Sequence, residues 1–303
     1  MPSLLDIKAR IKAVENIKKI TRAMQLVAAA KFNRAQNRAR SARPYSDELD
    51  TVLGALAGLS EDAAVDETLS LSFVEEQAPI VVDRARLFRQ VEVKCPGIVL
   101  VTADRGLCGA FNTRLIRAAL DFVKRHSDKD CRLITIGRKG HTYFKKRDIP
   151  ILHHEEHVSD RLVLDEIRRI TSTLIRFFVE GKVDALYIIY SQFKTAMRSD
   201  VRTEKFLSIP PVEGKKEDDV YILEPGEEAV YETLIPLYAT TKIFATLADS
   251  FASEYGARMS AMASATSNAE EMLEEQILLR NRMRQAIITK ELAEIVGGAA
   301  SQE

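Results

Sequence analysis

The sequence predicts an α/β protein in which an antiparallel coiled coil of the two chain ends accompanies a central α/β domain with a mainly parallel sheet. Residues 4–43 and 233–296 each read as one unbroken amphipathic helix. Between them, short apolar runs alternate with helical stretches, the pattern of a parallel sheet with covering helices. Helices of that length present more surface than one small core can cover, so they must pair with each other or with partners. The proportions point to a shaft or tether rather than a self-contained enzyme.

The N-terminal helix starts after Pro2, with Ser3 as N-cap and Asp6 three positions on as the capping-box acid. Its apolar residues Leu4, Ile7, Ile11, Val14, Ile17, Ile20, Met24 and Val27 form a heptad seam with one stammer near Ile17. Beyond Val27 the seam turns small and basic. Pro44 predicts a kink or break, with weaker helix to about Leu59. Residues 60–96 read as a flexible, initially acidic excursion that ends in a strand near Phe88–Val93.

From Gly97 the pattern changes. GIVLVTA (97–103) and CRLITIG (131–137) read as buried strands, and Ile149–Leu152 as a third. VDALYIIYSQF (183–193) is a further strand, and VRTEKFLSI (201–209) alternates as an edge strand. Helices are expected at 112–126, Lys139–Arg147 and 161–180. This alternation gives a Rossmann-like domain. VEGKKEDD (212–219) is a polar loop.

The C-terminal helix is the clearest element. Steps of 3 and 4 from Leu234 to Ala293 visit eighteen positions, of which fourteen are apolar. Such a run favours a coiled coil on the order of 90 Å long, at about 1.5 Å per residue. Arg258 interrupts the seam. Pro236 falls in the first turn, and Gly297-Gly298 ends the helix. The natural partner is the N-terminal helix, antiparallel. The expected division is 1–59 coiled-coil helix, 60–96 connection, 97–210 α/β domain, 211–230 surface loop and 231–303 coiled-coil helix.

The bulk composition narrows the function. Lys+Arg and Asp+Glu both total 44 in 303 residues, yet residues 1–43 hold eleven Lys/Arg against only Asp6 and Glu15. That suggests a charged partner, or an acidic neighbour within the molecule. Nucleic acid is not expected as that partner, because Phe32 is the only aromatic before Tyr45 and the helix carries a full apolar seam. Three scattered cysteines, Cys95, Cys108 and Cys131, imply no disulfide framework. No stretch reaches the length of a membrane span, and no signal-peptide core is expected.

Candidate chemistry is sparse. Asp104, Arg105, Gly106, Leu107, Cys108 and Gly109 lie between a strand and a helix, where α/β folds place phosphate turns. The pattern is neither GxGxxG nor GxxxxGK[ST], so a structural turn is favoured. His153, His154 and His157 with Glu155 and Glu156 lack the HExxH spacing and read as a polar turn. Cys108 has no neighbouring base and reads as a buried thiol. Glu270, Glu271, Glu274 and Glu275 precede Arg280, Arg282 and Arg284, opposite-sign blocks that suit contact with surrounding subunits.

Three segments together resemble the gamma subunit of F-type ATP synthase: IKKITRAMQLVAAAKFNRAQNR (17–38), TADRGLCGAFN (102–112) and RMRQAIITKELAEIVGGAA (282–300). The resemblance covers most of the chain. It departs at 60–96 and 212–230, which carry no motif residues. The resemblance implies a non-catalytic rotor subunit without cofactor or metal, coupling ion flow through a membrane ring to ATP synthesis or hydrolysis. The implied partners are alpha and beta subunits in a 3:3:1 complex, an epsilon subunit and the c-ring, with membrane contact only through the ring. The implied location is the cytoplasmic face of a bacterial plasma membrane. By position, Met24, Arg258, Arg284, Gln285, Thr289 and Glu294 match family positions linked to rotor–stator coupling, and Ile209–Val212 is the expected ring contact. An autonomous nucleotide-binding enzyme using Asp104–Gly109, and a dimeric coiled-coil scaffold, are the alternatives.

Overall fold

A computed structural model describes residues 3–60, 68–74, 77–89, 92–158, 162–196, 198–209 and 223–300. The expected loop at 212–219 and Pro210-Pro211 lie outside the described residues. Helix α1 runs Leu4–Ser60 and the last helix, α6, runs Glu227–Ala300. Between them come β1 (Thr68–Leu71), β2 (Ile80–Asp83), α2 (Arg84–Phe88), β3 (Pro96–Val101), α3 (Phe111–Arg125) and β4 (Arg132–Ile136). Then follow α4 (Arg138–Phe144), β5 (Ile151–Glu155), α5 (Leu164–Val179), β6 (Ala185–Phe193) and β7 (Ser199–Leu207). The chain divides into two compact units, Met1–Ala30 with Arg258–Glu303, and Lys31–Ala257.

The first unit is an antiparallel pair of helices. Lys18 Nζ meets Glu270 Oε1 at 3.0 Å, and Thr266 Oγ1 donates to Thr21 Oγ1 at 2.9 Å. Advancing along α1 therefore means retreating along α6. The start of α1 is closed as its sequence predicts. Ser3 N donates to Asp6 Oδ2 (2.9 Å), and Asp6 N donates to Ser3 Oγ (3.1 Å). The Ser3 N–H foremost, and then the Ser3 hydroxyl that also donates to Asp6 Oδ2 (2.8 Å), hold the Asp6 carboxyl below its ordinary pKa.

The seam of α1 differs from the expected one. The seam positions 4, 7, 11, 14, 18, 21, 25 and 28 are covered in an unbroken 3–4 alternation with no stammer, with Met24 and Ala29 half-buried beside them. Ile17, Ile20 and Val27 are 52%, 59% and 59% exposed. Following the apolar residues leads off the seam, because its middle is polar: Lys18, Thr21 and Gln25 occupy it. A hydroxyl pair inside an apolar seam fixes register at some cost in stability.

In the second unit the sheet has the order β5-β4-β3-β6-β7. The β3–β4, β3–β6 and β4–β5 pairs are parallel, and β7 runs antiparallel along β6. Alternate residues of the strands feed two cores, as a period of two requires. Ile98, Leu100 and Leu133 face Phe111, Leu115 and Phe122 of α3 and Phe144 of α4. Val99, Val101, Ile134 and Ile136 face the other way, into the larger core that holds α5, the ribbon β1–β2 and the α1 and α6 segments of this unit. The strands expected at 97–103, 131–137, 183–193 and 201–209 are all present. The third sits at Ile151–Glu155, later than expected, and so takes in His153 and His154.

Several local expectations fail. Helix α6 starts well before Pro236, which sits in its interior rather than its first turn, and it runs on through Gly297-Gly298 to Ala300. Helix α1 continues through Pro44, although proline has no N–H to give the fourth residue back. Beyond it, Ser46, Leu49, Leu53 and Leu56 are buried at heptad spacing, so tertiary packing outweighs one lost hydrogen bond. The strand near Phe88–Val93 is also absent among the described residues. Residues 84–88 form a short helix whose N-cap Asp83 accepts from Ala85 N at 2.9 Å. The strand character lies earlier, in the antiparallel ribbon Thr68–Leu71 with Ile80–Asp83, where Leu69, Leu71, Ile80 and Val82 alternate inward. Leu53 is fully buried in the large core, so Leu53→Ala is expected to cost about 3 kcal/mol, read as a lowered urea midpoint.

Candidate functional site on the coiled coil

The helix pair of the first unit buries Ile7, Ile11, Val14, Ala28, Met262 and Ala269. It leaves other large apolar side chains outside: Leu5, Ile17, Ile20, Leu26 and Val27 on α1, and Met272 and Leu278 on α6. Lys8, Arg10, Lys12, Lys19 and Arg22 are exposed between them. The register set by Lys18–Glu270 and Thr21–Thr266 brings the start of α1 level with the stretch around Met283. Every residue from Arg284 to Ile295 is exposed. On that stretch Ile288, Leu292 and Ile295 follow at steps of 4 and 3 and share one face, beside exposed Ile287. An apolar stripe on an unpaired helix marks a surface that another molecule covers.

The six positions singled out in the sequence fall into two settings. Met24 is half-buried and Arg258 is buried, both within this unit. Arg284, Gln285, Thr289 and Glu294 stand on the exposed end of α6. There Thr289 Oγ1 donates to the Gln285 carbonyl at 2.9 Å, and Lys290 lies 3.6 Å from Glu294. The apolar pattern places Ile17, Ile20 and Val27 in the seam, whereas they are exposed outside it. Their signal was a one-residue offset from a strict heptad count.

The Gly-punctuated turn lies in the second unit and is used internally. Asp104 Oδ1 accepts from Arg138 N and its Oδ2 from His157 N, each at 3.1 Å, so one buried carboxylate ties the end of β3 to α4 and to the segment after β5. Cys108 is buried, and its sulfur accepts from Asn112 Nδ2 at 3.1 Å. Asn112 Oδ1 in turn accepts from Ala103 N at 3.0 Å. Leu107 and Gly109 adopt left-handed φ of 62° and 56°. Arg105 is exposed, and the lysine of position 139 reaches over Gly106.

The histidines pair along the edge strand. His153 Nε2 meets Glu155 at 2.7 Å, and His154 Nε2 meets Glu156 at 2.8 Å, on opposite sides of β5. His154 stacks on His141 of α4 at 3.8 Å. Burial, then the neighbouring His154, holds the pKa of His141 down.

Residues 3–301 match the family described as ATP synthase. The chain is 38% identical over 305 residues to the ATP synthase gamma chain of Chlorobium phaeobacteroides, covering 99% of this chain and 98% of that one. It is 39% identical over 299 residues to the ATP synthase gamma chain of Moorella thermoacetica, covering 99% of both. The chain belongs to the ATP synthase gamma chain family. Solved structures extend the likeness to the fold. A chain of the Euglena gracilis mitochondrial ATP synthase superposes with a TM-score of 0.66 at 16% identity, covering 99% of this chain and 94% of that one. A chain from the central stalk and c-ring structure of the Tetrahymena thermophila mitochondrial enzyme gives 0.57 at 20% identity, over 81% and 99%. The fold of this chain is thus shared by distant sequences. Among the described residues, no helix is long and apolar enough to cross a membrane.

Proposed function

We propose that this gamma chain is the central-stalk rotor of an F-type ATP synthase. It couples ion flow through a membrane ring to ATP synthesis or hydrolysis in a hexamer of alpha and beta subunits, and performs no chemistry itself. The observation that carries this reading is the helix pair whose outer surface is apolar at Ile17, Ile20, Val27, Ile288 and Leu292. A lone rod with those side chains in water would self-associate, whereas a surrounding sleeve of subunits would cover them. Torque transfer is then a bias on the conformational equilibrium of the catalytic subunits by an asymmetric shaft.

Met24, Arg258, Arg284, Gln285, Thr289 and Glu294 are the contacts through which the shaft and sleeve are coupled. The α/β domain, taken as 97–210, rests on the c-ring beside an epsilon subunit. The chain therefore meets the cytoplasmic face of the bacterial membrane only through the ring. Of the proposed ring contact, Ile209 is buried and 210–212 lie outside the described residues. Asp104 supports the non-catalytic reading, since both its carboxylate oxygens are occupied by backbone N–H groups.

Co-expression with the alpha and beta subunits, followed by native mass spectrometry, tests the proposal. One copy in a 3:3:1 assembly with ATPase activity is the expected result. A homodimer that ignores those subunits, or a lone chain that binds ATP tightly, would overturn it.

A further inference from the structure

Within the second unit, two ion pairs cross between α1 and α6. Arg43 Nη2 donates to both carboxylate oxygens of Asp249, at 2.8 and 2.9 Å. Lys242 Nζ donates to Asp50 Oδ2 at 2.6 Å. The pairs are reciprocal: α1 supplies a cation and then an anion, and α6 supplies the anion and the cation. Each helix spaces its two members by one heptad, so the crossings stand roughly 10 Å apart along the axis.

Each crossing also reaches the sheet. Arg43 Nη2 donates to the Phe193 carbonyl at the end of β6 (3.0 Å). Lys242 lies 3.6 Å from Glu204 of β7, which accepts from the Tyr190 hydroxyl of β6 at 2.8 Å. Asp249 and Lys242 are largely covered. Arg43, Asp249, Lys242, Glu204 and Tyr190 line, with Asp47 among others, a polar cavity of about 120 Å³.

Charges in such a place add little net stability over apolar packing of equal volume. What they add is direction. An apolar ridge can slide to the next groove, whereas two opposed ion pairs one heptad apart oppose both sliding and rotation of one helix on the other. We propose that Arg43–Asp249 and Asp50–Lys242 are the torque coupling of the shaft, locking both helices to strands β6 and β7 so that the helices and the sheet turn as one body under load. The four residues are positioning residues that act through the helices. The inference rests on the rotor reading.

The test uses the complete ATP synthase reconstituted in lipid vesicles, carrying Asp249→Asn, Lys242→Met or the charge-retaining Arg43→Lys. ATP hydrolysis is measured beside ATP-driven ion pumping, first with the membrane gradient collapsed and then as the gradient builds. Asp249→Asn and Lys242→Met are expected to hydrolyse ATP and pump normally without load. Their limiting gradient is expected to fall roughly threefold or more as charge-assisted bonds are lost, with Arg43→Lys in between. Load-dependent slip is a readout that simple loss of folding does not move. An unchanged limiting gradient in fully assembled Asp249→Asn complexes overturns the proposal, as does a parallel fall in hydrolysis and pumping at every load. Failure of the unsubstituted complex to pump would instead strike the rotor reading.

Discussion

Gly137→Ala is expected to remove a large share of the stability of the α/β unit. Gly137 follows β4 directly and holds φ at 97°, a region closed to most side chains. A Cβ there would lie 2.0 Å from the Thr102 carbonyl oxygen and 2.7 Å from its carbon. These are backbone atoms, and they cannot swing aside. Thr102 N donates to Ile136 O at 2.8 Å, and Gly137 N donates to Glu155 O at 2.8 Å, so relief would pull apart the ends of β3, β4 and β5 together. The side chain is held as well: Thr102 Oγ1 accepts from Gly140 N at 2.9 Å. Left-handed strain and a forced shift of paired strands sum to about 4 kcal/mol or more, a large share of a domain's stability.

Gly226→Ala is the matched control, since nothing lies within 4 Å of its Cβ position. It should change stability by no more than about 0.5 kcal/mol. Urea midpoints followed by circular dichroism, with amide exchange at Val99–Val101 to report on the sheet, separate the two. Equal midpoints for the two variants would refute the packing argument at Gly137.

Much of this fold is legible in the sequence because its elements are long or strongly patterned. Nine heptads of small and apolar residues cannot form anything but an extended helix, and GIVLVTA and CRLITIG suit buried parallel strands. The seam of α1 departs from its apolar pattern for a physical reason. Hydrophobicity marks residues that avoid water, and α1 carries some of these on its outer face. Ile17, Ile20 and Val27 are of that kind, while Lys18, Thr21 and Gln25 hold the true seam. The β1–β2 ribbon was hidden because its strands are four residues each and sit in an acidic context. The cluster around Asp249 was out of reach altogether. Arg43 and Asp249 are 206 positions apart, and nothing local marks either as buried or paired. Separations of 34 and 53 positions likewise hide the partners of Asp104, since Arg138 and His157 lie on other strands' connections.

Arg43→Met is expected to destabilise the chain in a pH-dependent way. Burial raises the pKa of Asp249 above its ordinary value, even though the hydrogen bond and charge of Arg43 pull it down. Glu204 adds to the rise and Lys194 opposes it. A carboxyl with a raised folded pKa binds its proton more tightly folded than unfolded. Its ionisation therefore costs stability as pH climbs from the ordinary carboxylate range through the raised value, and the cost is absent in acid. Removing Arg43 leaves a buried carboxylate without its guanidinium partner, which raises the pKa further and deepens that cost. Arg43 is itself 39% exposed, so solvent screens part of the pair and the loss is about 2 kcal/mol at pH 8. At pH 4, below the range into which burial raises Asp249, the gap should shrink toward the packing of the lost side chain. Thermal midpoints of the parent, Arg43→Met and Arg43→Met/Asp249→Asn at both pH values decide the matter. The double variant should show no widening gap at high pH, because the stranded charge is gone. A gap between parent and single variant that is the same at both pH values would mean that Asp249 is not ionised against Arg43 in the folded chain.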